Sequence, residues 1–100
     1  MFLRIPIVVE HPRALCELNG FGKSEGEIIE AGDVLGELRV ELALDDFFDN
    51  PLQYRGDLVA RAEGELTEVR PPNGKPLREG DVVAVVGDEP GDFPVEFVSI

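Results

Sequence analysis

The chain is poor in the residues that carry most enzyme chemistry. It has one cysteine, Cys16, which excludes an intramolecular disulfide and any metal centre built from cysteines alone. It has one histidine, His11, and no tryptophan. Cations are scarce: nine Lys and Arg stand against 21 Asp and Glu, a formal charge of −12. That balance speaks against general binding to nucleic acid or to an anionic membrane, because both recruit Lys and Arg. It permits a basic partner, or a basic pocket on an enzyme, to be met by electrostatic steering, although charge at this level speaks first to solubility. No apolar run approaches the roughly 20 residues that cross a bilayer. The opening Met1-Phe-Leu-Arg-Ile-Pro-Ile-Val-Val9 lacks the basic region and small-residue cleavage site of a signal peptide. It reads as a strand, and the expected compartment is the cytoplasm.

What the chain does have is a globular inventory. Hydrophobic residues make up 43% and charged residues 30%, too apolar for a disordered segment. One hundred residues make a single domain, 1–100, with a modest core. Glycine and proline punctuate the sequence throughout, and no segment holds helical spacing for long. Short β-rich runs between turn signals predict an all-β barrel or sandwich. The expected strands are 2–9, 14–18, 27–29, 34–42, 57–62, 65–70, 82–87 and 94–99. Asn19-Gly20, Pro72-Asn73-Gly74 and Pro90-Gly91-Asp92 are expected turn tips. The last strand is expected either to pair with Leu3–Val9 or to offer its edge to a second copy.

The chain also repeats itself. Ala14-Leu-Cys-Glu17-Leu18 returns 48 residues on as Ala62-Glu-Gly-Glu65-Leu66. Gly26, Gly32, Asp33 and Val34 return at the same spacing as Gly74, Gly80, Asp81 and Val82. Seven positions are identical between 14–38 and 62–86 with no gap, which points to two quasi-symmetric halves, about 12–38 and 60–86. Between them lies a connection, 43–56, with its own composition. It holds Asp45, Asp46 and Asp49 beside three of the seven aromatics, Phe47, Phe48 and Tyr54. A short helical turn at Asp45–Asp49, stopped by Asn50-Pro51, is expected there. These six residues form the candidate interaction surface, because long connections often carry function and exposed aromatic patches mark interfaces.

No group of residues reads as a catalytic site. His11 precedes a proline and has no second histidine for phosphoryl transfer. Cys16 sits in an apolar run and reads as a small buried hydrophobe. The aspartates of 43–56 lack the glycine and closing glutamate of a calcium loop. Asp33 and Asp81, paired by the repeat, read as corner residues that accept backbone hydrogen bonds. No metal or cofactor is expected on these grounds.

The repeat units resemble those of the biotinyl/lipoyl carrier domains, the barrel-sandwich hybrid family. The resemblance covers about residues 12 to 88. It rests on Leu58 to Val69, on Gly74 to Val86, and on the matching Glu25 to Leu38, with Cys16 standing where the second half has Gly64. It implies an all-β barrel-sandwich hybrid. In that family the modified lysine lies ten residues past the second glycine of the first unit, and counting from Gly32 that position is Leu42. Leucine has no amine to acylate. The only lysines, Lys23 and Lys75, belong to the approaches to the two Gly-Asp corners. The resemblance therefore implies a non-catalytic interaction or scaffold module that carries neither biotin nor lipoate. A carrier modified at Lys75 or Lys23 is one alternative. A small OB- or SH3-like regulatory barrel is the other, suggested by Leu77–Val83 and Val95-Glu-Phe97-Val.

Overall fold

In the computed structural model, which describes residues 1–8, 14–42, 52–70 and 77–99, the chain is all-β. Among the described residues, eight strands form two antiparallel four-stranded sheets, and neither sheet is closed. The strands are β1 (Phe2–Arg4), β2 (Ala14–Asn19), β3 (Ile28–Ile29), β4 (Val34–Leu42), β5 (Leu52–Ala60), β6 (Gly64–Val69), β7 (Val82–Val86) and β8 (Val95–Ser99). One sheet runs β1-β7-β6-β3 and the other β2-β4-β5-β8. Alternation supplies the core, as a half-buried sheet requires. Along β4, Leu38, Val40 and Leu42 are buried while Glu37, Arg39 and Glu41 face out.

The two sheets are built by exchange between the halves. In the first sheet, β7 and β6 of the second half lie between β1 and β3 of the first. In the second sheet, β4 and β2 of the first half lie between β5 and Leu77 of the second, with Leu77 bridging Cys16. The registers agree with the 48-residue offset. Ile29 faces Gly64, as Leu77 faces Cys16. Leu18 faces Leu38, as Leu66 faces Val86.

The symmetry extends beyond the repeat that the sequence displays. Leu3 pairs with Ala84 as Leu58 pairs with Gly36, so β1 and β5 are counterparts 55 residues apart rather than 48. Between Ile5 and Ala14 the first half carries seven more residues than the second has between Ala60 and Ala62. The bulges match as well: Leu35 is the extra residue of β4 against β5, and Val83 that of β7 against β1. Both are buried. A bulge conserved between halves is a built feature that sets the local twist.

Each expected strand is present, with three differences. The first strand ends at Arg4 rather than at residue 9. Ile5 still donates to the Asp81 carbonyl and accepts from the Gly80 N–H, so its pairing passes into the second Gly-Asp corner instead of continuing as strand. β5 begins at Leu52 rather than at 57, so residues 52–56 of the expected connection are strand. Its register with β4 runs without interruption from Leu42↔Leu52 to Gly36↔Leu58. The last strand pairs with β5 and not with Leu3–Val9. The far side of β1 is taken by residues 91–93 instead: Phe2 N–H donates to Gly91 O at 2.8 Å, and Phe93 N–H to Phe2 O at 2.8 Å. The helical turn expected at Asp45–Asp49 lies outside the described residues.

Candidate functional site

The repeated glycines and aspartates build one corner twice. Gly32 and Gly80 have φ of 95° and 86°, a conformation that a side chain resists. Each stands third in a turn closed from Asp33 N–H to Glu30 O and from Asp81 N–H to Arg78 O, both at 3.1 Å. The Asp33 carboxylate accepts the Glu30 N–H at 2.9 Å, and the Asp81 carboxylate accepts the Arg78 N–H at 2.9 Å. Each corner also docks on the neighbouring strand. Gly32 N–H donates to Ala60 O and Ala60 N–H to Asp33 O, while Gly80 N–H donates to Ile5 O and Ile5 N–H to Asp81 O. Both aspartates therefore serve as structural acceptors that close a corner.

Lys23 belongs to the first corner. Its ammonium lies 3.3 Å from the Asp33 carboxylate, and both side chains are largely covered. The ion pair ties the amine to the corner rather than leaving it at a free tip. The Glu30 N–H, followed by Lys23, holds the Asp33 carboxyl below its ordinary range. Arg55 and then Arg39 do the same for Glu37. A depressed carboxyl stabilises the fold in full above its unfolded value, and the contribution is lost as pH falls through the folded one. Asp33→Asn keeps an oxygen for the Glu30 N–H but loses the charge. It is expected to be less stable than the parent at neutral pH, and the difference should close as the medium is acidified below about pH 4. Urea unfolding over a pH series measures this, and a gap that stays constant with pH would contradict the assignment.

Leu42, the position to which the resemblance would assign the carrier lysine, lies in the second sheet. It pairs with Ala14 on one side and Leu52 on the other, and only 4% of its surface is exposed. The first half therefore carries its β4 ladder on past Leu38, whereas β7 stops at Val86 and turns at Gly87, whose φ is 62°.

Of the candidate interaction surface, Tyr54 is described. It lies on β5 opposite Val40, in a cross-strand row with Cys16, and is 39% exposed. Asp45, Asp46, Phe47, Phe48 and Asp49 lie outside the described residues, as do Lys75 and His11. Cys16 is buried, and its N–H donates to Leu77 O at 2.6 Å. Burial raises its thiol pKa, with the charges of Asp81 and Glu79 adding to the shift, the opposite of an activated nucleophile. The exchange of glycine for cysteine between halves has a packing reason. A side chain at Gly64 would meet Val86 Cγ1 at 2.5 Å, whereas Cys16 fills its own place in the core. Among the described residues there is no group of acids, histidines and cysteines arranged to hold a metal, and no helix long and apolar enough to cross a membrane. No family of known proteins, curated protein or solved structure matches the chain significantly.

Proposed function

We propose that the chain is a barrel-sandwich domain of the biotinyl/lipoyl type that bears neither cofactor, is not an enzyme, and works by binding another protein. Leu42 carries this reading. The position where a carrier presents its lysine holds a buried leucine, paired on both sides within a continuous sheet. An arm needs an exposed amine at a free tip, and this position offers neither. The exchange of strands between halves and the doubled Gly-Asp corner support the architecture. The ion pair of Lys23 with Asp33 weighs against modification there. A reducing, cytoplasmic setting fits the single free cysteine. The connection that holds Asp45, Asp46, Phe47, Phe48 and Asp49, together with Tyr54, is the first candidate for the contact surface.

Intact-protein mass spectrometry on material from its native cells tests the proposal. The expected result is the unmodified mass. A biotinyl or lipoyl increment would overturn it, and peptide mapping would then assign the group to Lys75 or Lys23.

A further inference from the structure

Among the described residues, nothing pairs with the far side of β8. Two other edges are met at one residue each among the described residues. Residues 91–93 bond β1, and Leu77 bonds β2 through Cys16. β3 is only two residues long. Of the usual guards of an edge strand, β8 lacks lysine, internal proline and a bulge in its register, and its one charge, Glu96, is paired with Arg61.

The hydrogen-bond phase of this edge follows from its first bond. Arg61 N–H donates to Pro94 O at 3.0 Å. Alternation along an antiparallel ladder then makes Glu96 and Val98 the residues that exchange bonds with β5. The N–H and C=O of Val95, Phe97 and Ser99 point away from the sheet.

We propose that β8 pairs antiparallel with β8 of a second copy, about a two-fold axis through Phe97, joining two four-stranded sheets into one of eight strands. In that register Val95 meets Ser99 of the second copy, Phe97 meets Phe97, and all three outward residues of each strand are bonded. The charges fit a second copy. Glu96, the one charge on β8, falls opposite Val98 of the other chain and never opposite itself. It is already held by Arg61 at 2.6 Å, so a basic strand from another protein would find no unpaired acid here. The −12 charge of each copy opposes association, so the dimer strengthens with added salt. A basic partner would show the reverse dependence.

The inference deepens the interaction-module reading by naming one surface and its occupant. Its failure would leave the intact-mass result, and hence that reading, standing. Sedimentation equilibrium of the full chain over a range of concentration and salt is the experiment. The expected result is a monomer–dimer equilibrium that shifts toward dimer at high salt. Ser99→Pro removes an outward N–H and no bond to β5, and should give a monomer. Val98→Glu sets two acids opposite Glu96 across the axis and Val98→Lys sets two cations there. From cross-strand pair energies, the first should raise and the second lower the dissociation constant by about 2- to 30-fold. A parent that stays monomeric at high salt, or a dimer indifferent to Ser99→Pro, overturns the proposal. So do equal effects of the two Val98 substitutions.

Discussion

Leu66→Ala should cost about 2–5 kcal/mol of unfolding free energy, while Leu18→Ala, its counterpart in the first half, should cost less, about 1–2 kcal/mol. The repeat alone would give the two positions equal weight, since Leu18 faces Leu38 as Leu66 faces Val86. Burial separates them. Leu66 has no exposed surface, on a strand flanked on both sides by β7 and β3. Leu18 is half-buried, on a strand whose far side is met by Leu77 at Cys16. Truncating the first leaves a cavity in the core; truncating the second removes packing at its margin, where neighbours and solvent can close in. A domain of this size holds roughly 5–15 kcal/mol in all, so Leu66→Ala takes a large share of it. Guanidinium unfolding of both variants measures the contrast, and equal losses would show that the halves pack alike.

The same difference between pattern and packing decides what the sequence makes legible. The repeat of 14–38 in 62–86 is visible because glycines and aspartates at corners tolerate little change. The equivalence of β1 and β5 is not visible. Of Phe2-Leu-Arg-Ile5 and Asp57-Leu-Val-Ala60, leucine alone is shared, and the extra residues after Ile5 shift the offset from 48 to 55. The early start of β5 is masked by Pro51 before it and Gly56 within it, although Leu52-Gln-Tyr-Arg55 alternates apolar with polar residues. Alternation in 94–99 announces a strand but not its partner, because a period of two is satisfied by any neighbour. Leu42 falls where the proposed carrier resemblance would place a lysine, which counting from Gly32 makes visible once that resemblance is assumed. The contacts proposed for Tyr54 and for the outer edge of β8 cannot be read this way, since an apolar pattern records only what faces the core.

Gly56→Ala should destabilise the chain by about 1–3 kcal/mol, although alanine normally favours the folded state by reducing the entropy of the unfolded chain. Gly56 lies on β5 opposite Ser99, in ordinary strand register, and its φ is not in the left-handed region. Its need is for space. An added Cβ would fall inside the contact distance of the Val98 carbonyl oxygen and 2.7 Å from the Phe97 ring. The ring can swing away, but the carbonyl belongs to the β5–β8 ladder and moves only with the strand. The amide protons of Glu96 and Val98 should therefore exchange faster in the variant, a local loosening that hydrogen exchange resolves from global unfolding. A double-mutant cycle with Phe97→Ala separates the two clashes. Removing the ring should relieve part of the penalty and leave the part owed to the carbonyl. Because Gly56 allows β8 to lie close to β5, the same substitution should weaken self-association through the outer edge. A Gly56→Ala protein as stable as its parent would mean that β8 sits farther from β5 than this packing requires.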